Sequence, residues 1–147
     1  MEHILQRVVG SKRISLLDGF SGYNQVLVLL EDQLKTAFTT LWGTFMYVKM
    51  PFGLMNDGAT FQRAMEIAFS EEIGHFIVIY LDDIIVYSKT NEEHLKHLRR
   101  VFEKCRRFNL SLNPKKIVFE LQEGNILGHI ISEKGIKIDP QIVEKIL

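Results

Sequence analysis

Two adjacent carboxylates, Asp82 and Asp83, interrupt an apolar, β-branched and aromatic run from Phe76 to Tyr87. Aspartate is depleted in strands, and charge beside a buried apolar run destabilises it unless something compensates. No lysine or arginine follows until Lys89. A bound cation is therefore the candidate counter-charge, and a hard divalent ion suits carboxylate oxygens. Taken alone, the pair also reads as an exposed acidic turn. A third carboxylate, Asp18, closes a short apolar stretch with Ile14, Leu16 and Leu17, and Gly19-Phe20-Ser21-Gly22-Tyr23 follows it. Small residues around one aromatic make a tight turn whose backbone N–H groups can cradle phosphate.

The elements that must position these acids follow from local pattern. The arms on either side of Asp82-Asp83 read as a tight hairpin with the acids near its tip. Residues 1–10 show no period and read as a loose lead-in. A strand ends at Asp18, Val26 to Leu30 is a second strand candidate, and a polar turn follows at Glu31-Asp32-Gln33. Thr36 to Leu41 and Thr44 to Met50 read as a hairpin around Trp42-Gly43, and Pro51-Phe52-Gly53-Leu54 breaks the pattern. From about Asp57, Phe61, Ala64, Met65 and Ala68 recur at helical spacing, with Asn56 or Asp57 as the cap. Thr90 and Glu93 form a capping box for the clearest helix, whose apolar face runs Leu95, Leu98, Phe102, Cys105, Phe108 and which stops at Asn109. Lys96, Arg99, Arg100, Lys104, Arg106 and Arg107 read as its solvated outer face. His94 and His97 lack a His-Glu-x-x-His pattern and read as surface residues. Short β segments are expected at Lys116 to Leu121, Asn125 to Ile131 and Ile136 to Ile138, and Asp139-Pro140 opens a further helix.

At 147 residues and 46% hydrophobic, the chain can bury one core, so one domain over 1–147 is expected. Equal counts of 18 basic and 18 acidic residues do not announce a nucleic-acid binder. The single Cys105 excludes an internal disulfide and reads as a small buried hydrophobe. No signal-peptide order and no membrane-length apolar run is present, so an intracellular chain without membrane partners is expected, in a cytoplasmic particle or the nucleus. The element order fits an α+β fold: an antiparallel sheet covered on one face by two helices, of split βαβ, ferredoxin-like type. In such a sheet the end of the first strand and the hairpin tip are neighbours, which would bring Asp18 beside Asp82 and Asp83. Three carboxylates in one place cannot all stay ionised without cations. Two magnesium ions about 4 Å apart would satisfy them and would suit phosphoryl chemistry.

The residues then carry a resemblance. Leu17-Asp18 with Ser21-Gly22-Tyr23-Asn24-Gln25 and Lys35-Thr36-Ala37-Phe38 resembles the first polymerase motif of reverse transcriptases. Met50-Pro51-Phe52-Gly53-Leu54 with Ala59-Thr60-Phe61-Gln62-Arg63 resembles the second, and Tyr80-Leu81-Asp82-Asp83 is similar to the Y-x-D-D box. Leu127-Gly128-His129-Ile130-Ile131-Ser132 resembles the primer grip. The set is most similar to the gypsy class of LTR retrotransposon polyproteins, from about Ser15 to Pro140.

That resemblance implies the palm, with part of the fingers, of an RNA-directed DNA polymerase that adds dNTPs to a primer 3′-hydroxyl on an RNA or DNA template. It implies Asp18, Asp82, Asp83 and the Gly19 backbone as ligands of two Mg2+ ions, with Mn2+ as a possible substitute. It implies Phe20, Ser21, Gly22, Tyr23, Phe52 and Gly53 around the nucleotide, Tyr23 being the aromatic that excludes a ribose 2′-hydroxyl. Lys115 or Lys116 would approach the leaving group, and Leu127, Gly128 and His129 would place the primer terminus. The complete fingers, thumb, RNase H and integrase regions of such polyproteins would be partners outside this chain. Two positions depart from the family: Gly19 replaces a bulkier apolar residue, and Asn56-Asp57-Gly58-Ala59 replaces an Ala-Pro or Ser-Pro pair, so that helix loses its preset first turn. With the fingers and thumb expected outside this chain, these two loosened turns motivate a competing reading, an inactive retroelement remnant that at most binds nucleic acid. A metal nuclease built on the same acids leaves Tyr23 and Pro51-Phe52-Gly53 without a role.

Overall fold

A computed structural model describes residues 2–19, 22–53, 57–81, 83–126 and 128–140; the side chains of residues 2–4, Tyr23 and Asp57 are not described. The element order is α1 (Glu2–Val8), β1 (Arg13–Asp18), a 3-10 turn (Gly22–Gln25), α2 (Leu30–Gln33), a second 3-10 turn (Leu34–Thr36), β2 (Phe38–Thr40), β3 (Gly43–Phe45), α3 (Asp57–Ala68), β4 (Ile77–Tyr80), β5 (Asp83–Ser88), α4 (Asn91–Arg107), β6 (Val118–Leu121), β7 (Glu123–Ile126), β8 (His129–Ser132) and β9 (Gly135–Ile138). The central sheet has the order β4-β5-β1-β6, and its pairs are antiparallel.

Strand side chains alternate between faces, so the register sorts residues into two sets. Leu17, Ile77, Ile79, Ile84 and Val86 face the helices and form one core with Phe61, Met65, Ala68 and Phe69 of the α3 region and Leu98, Val101 and Cys105 of α4. Both helices therefore lie on one face, as the pattern predicts. The opposite face presents Ile14, Val78, Ile85 and Tyr87, which pack with Leu5 and Val8 of α1 and with Ile126 and Ile131 of the β7-β8-β9 sheet. Residues 1–10 are thus not a loose lead-in over their described part: Leu5 and Val8, one turn apart, bury against the sheet. Two apolar positions are too few to show as a period.

α4 follows its sequence signals at both ends. The Thr90 hydroxyl accepts from Glu93 N–H at 3.2 Å, and Asn109 takes the left-handed conformation (φ 52°) that closes it. Its buried stripe, however, is His94, Leu98, Val101 and Cys105, while Leu95 and Phe108 are exposed. His94 and His97 are not surface residues. His94 is fully buried, with Nε2 2.7 Å from Ser15 Oγ and Nδ1 2.9 Å from Ser88 Oγ. His97 Nδ1 lies 2.7 Å from the same Ser88 hydroxyl, and its ring stacks on Phe76 with centroids 4.0 Å apart. Two serines on the helix-facing side of β1 and β5 supply polar partners that helical periodicity cannot show. Arg100 and Lys104 likewise are not simply solvated: they bind Glu71 and the buried Glu72, tying α4 to the turn after α3. Burial pushes the Cys105 thiol up to about 11, so it is an inert core residue.

Two further expectations change. Val26 to Leu30 is not a strand: Leu27 makes an isolated bridge with Lys49, and Leu30 already begins α2. Asn125 to Ile131 spans two paired antiparallel strands, β7 and β8, and Gly128, just before β8, takes φ 76°. β2 and β3 form the expected hairpin around Trp42, with Leu41 and Trp42 almost wholly exposed at its tip. The helix after Pro140 falls outside the described residues. Among those described, no helix is long and apolar enough to cross a membrane.

Candidate active site

The ladder between β1 and β5 fixes the site. Leu16 faces Ile85, Leu17 faces Ile84, and the last pair is Asp18 opposite Asp83. Directly opposed residues have Cβ atoms about 5 Å apart, so the two carboxylates share one patch. Tyr80 pairs with Asp83 from the other side. All three belong to the face turned away from α3 and α4. Like charges placed opposite each other are unfavourable, and a counter-charge is present: Lys116 Nζ lies 3.3 Å from Asp18 Oδ2. A cavity of about 200 Å³ opens here, lined by Asp18, Asp83, Tyr80, Lys116, Asn125 and Ile126 among others.

The hairpin tip is held from below. β4 and β5 are joined by Leu81 and Asp82, and Leu81 takes φ 52°, a left-handed conformation that a side chain disfavours but a two-residue hairpin requires. Its N–H donates to Gln62 Oε1 of α3 at 3.0 Å. The exit of β1 is held as well. Gly19 is buried and bridges Leu112, Asn113 N–H donates to the Asp18 carbonyl at 2.8 Å, and the Gln25 side chain clasps Ser111. In that clasp Gln25 Nε2 donates to the Ser111 carbonyl at 3.0 Å and Ser111 N–H donates to Gln25 Oε1 at 2.6 Å.

Of the residues expected at the site, Asp18, Asp83 and Lys116 are brought together. Asp82, Phe20, Ser21 and Leu127 lie outside the described residues, as does the Tyr23 side chain. Gly22 is buried and opens the 3-10 turn. Phe52 is largely exposed and Gly53 adopts φ 99°, and neither lines the cavity. Gly128 and His129 do not line it either, but Asn125 and Ile126, one strand earlier in the same hairpin, do. Gly128 is anchored by Asp139 N–H, which donates to its carbonyl at 3.0 Å, and Asn125 by a hydrogen bond to the Asp139 carboxylate. Gln25, Gln62 and Asn125 were not singled out from sequence; Gln25 and Gln62 lie inside recognised motifs, whereas Asn125 carries no local signal.

Among the described residues no cluster of three or more His, Cys, Asp or Glu forms, and Asp18 with Asp83 is a pair. Its chemistry fits a hard divalent ion: two facing carboxylates already draw one cationic group, the Lys116 ammonium.

The profile of the family described as reverse transcriptase (RNA-dependent DNA polymerase) matches residues 2–131. Over 147 residues the chain is 38% identical to the Retrovirus-related Pol polyprotein from transposon 297 of Drosophila melanogaster, covering all of this chain and 14% of that polyprotein. It is 33% identical over 143 residues to the corresponding polyprotein from transposon gypsy of the same organism, covering 97% of this chain and 14% of the relative. The fold matches a foamy viral protease-reverse transcriptase solved in complex with double-stranded DNA, with a TM-score of 0.87 and 28% identity, over 99% of this chain and 25% of that one. It also matches a foamy viral protease-reverse transcriptase solved with an RNA/DNA hybrid, with a TM-score of 0.84 and 28% identity, over 97% of this chain and 19% of that one.

Proposed function

Because the chain belongs to the reverse transcriptase (RNA-dependent DNA polymerase) family, we propose that it forms the palm, with part of the fingers, of a retrotransposon RNA-directed DNA polymerase. The observation that carries this reading is the register pair of Asp18 and Asp83 on the open face of the sheet. Asp18 and Asp83, with Asp82 and the Gly19 backbone, would hold the divalent ions. Bound there, two Mg2+ or Mn2+ ions supply Lewis acidity toward a primer 3′-hydroxyl and charge neutralisation for departing pyrophosphate.

The chain's own residues do the positioning. The 3-10 turn from Gly22 to Gln25, locked to Ser111 through Gln25, sets the loop that would lie along the triphosphate. Tyr23, on that turn, would exclude a 2′-hydroxyl and select dNTPs. Lys116 lies within reach of the same patch and would donate a proton toward the leaving group. The hairpin of β7 and β8 forms one wall of the cavity and would place the primer terminus through Leu127, Gly128 and His129, while Phe52 and Gly53 would approach the nucleotide from the turn before α3. Template and primer would be held largely through phosphates and sugars, without sequence choice.

The test is primer extension on an RNA template with Mg2+ and dNTPs, with Asp18→Asn and Asp83→Asn beside the unaltered chain. Loss of about 100-fold or more in either variant is expected. Extension that survives both substitutions would sink the assignment of the acids. The chain spans 14% of the transposon 297 polyprotein, and Leu27, Leu29, Leu30, Leu34, Leu41 and Trp42 are left exposed. That uncovered apolar surface favours the second reading, a fragment that is inactive without further polyprotein segments. A folded, metal-binding chain that extends no primer would support it.

A further inference from the structure

The segment after α4 is stitched to the exit of β1, and this gives Lys116 a fixed place. Lys116 N–H donates to the Asn113 carbonyl at 3.1 Å, and Asn113 N–H donates to the Asp18 carbonyl at 2.8 Å. Lys115 N–H closes the same turn on Asn113 Oδ1 at 3.2 Å, around Pro114. Two backbone hydrogen bonds therefore connect Lys116 to the residue whose carboxylate its ammonium meets at 3.3 Å.

We propose that Lys116 is a built-in counter-cation for the Asp18–Asp83 pair, released when a divalent ion takes Asp18, so that metal entry and lysine release are one exchange. The inference rests on the reading of those acids as metal ligands. Two facing carboxylates repel, and without a cation the ladder would be weakest at its last pair. A lysine on a flexible four-carbon stem can neutralise one of them and swing away without moving the backbone. The short tether keeps its local concentration high in any buffer. The pair is nonetheless built to yield: the Lys116 side chain is 67% exposed, whereas that of Asp18 is 17% exposed. An ion pair of that kind shifts an equilibrium by no more than about fivefold, so it competes with a divalent ion without excluding it.

The experiment is Mn2+ binding, followed by the electron paramagnetic resonance signal of free Mn2+, at equal ionic strength for the unaltered chain, Lys116→Met, Lys115→Met and Asp83→Asn. Lys116→Met should bind Mn2+ about two- to fivefold more tightly. Lys115→Met removes the same charge one residue away and should leave the affinity unchanged, and Asp83→Asn should weaken it. In the unaltered chain, acylation of Lys116 by an amine reagent, read by mass spectrometry, should rise when Mn2+ is added. Equal affinity in the unaltered chain and Lys116→Met, or an equal gain in Lys115→Met, overturns the exchange and leaves the metal site standing. Mn2+ binding that Asp83→Asn does not alter overturns the exchange together with the metal reading beneath it.

Discussion

The two faces of the central sheet are made from alternating residues of the same strands, yet they treat polar groups in opposite ways. On the helix-covered face, Ser15 and Ser88 are buried and answered from α4 by His94 and His97, with Glu120 N–H also donating to Ser15 Oγ. Each hydroxyl there has a partner within the fold. On the other face, Asp18 and Asp83 stand opposite each other at the strand ends and border a cavity. The first arrangement stabilises the native packing inside a closed core, and the second sets two carboxylates beside a cavity, where Asp18 meets the exposed Lys116 ammonium. Two residues along β1, Leu16 and Leu17, separate Ser15 from Asp18, and one shift of parity puts the serine in the closed core and the aspartate on the open face.

That contrast can be broken from the helix side with little effect on the acids. Phe61→Ala, in the core under α3, should lower stability by about 3–5 kcal/mol. Urea unfolding would measure it, and a smaller loss would mean that the α3 face is less tightly packed than its burial shows. Next in size is His94→Ala, which takes one of two partners from each of two buried hydroxyls and should remove about 1–3 kcal/mol. The same site makes stability pH-dependent. Burial pushes both His94 and His97 below the ordinary histidine value, although Glu120 and Glu93 respectively pull upward. The unfolded chain therefore takes up protons first as pH falls. Their contribution is complete above about pH 6.5 and is lost on acidification toward the lowered folded values. A urea midpoint that does not fall between pH 7.5 and 5.5 would contradict a neutral buried His94. Smallest in stability is Gln62→Ala, which removes the hydrogen bond to Leu81 N–H and should cost about 1 kcal/mol. Its effect on primer extension should exceed its effect on unfolding, because the tip it supports carries the acids; equal effects would make Gln62 merely structural.

The β4–β5 hairpin that carries Asp83 at its turn, and α4 with its capping box, were legible because their causes are local. Apolar alternation, an Asp-Asp pair and a Thr-x-x-Glu box all act within a few residues. The roles of His94, Gln25 and Asn125 were not legible, since each depends on a partner far along the chain: Ser15, Ser111 and Asp139. Leu95 shows the same limit from the other side. It fits an apolar stripe by spacing, yet it points past the sheet while His94 enters it.

What the sequence determined by itself was the chemical inventory: which carboxylates, which tight turns, and which elements would carry them. Local propensity and side-chain type decide those. Only the tertiary structure decided that Asp18 faces Asp83 rather than slipping by one residue, and that Lys116 meets Asp18. Register has a period of two, so a one-residue slip would send every side chain of β1 to the opposite face. It is the packing of Leu17, Ile84 and Val86 against α3 and α4, and of Ile14 and Ile85 against α1 and β7, that forbids the slip and so places the acids together.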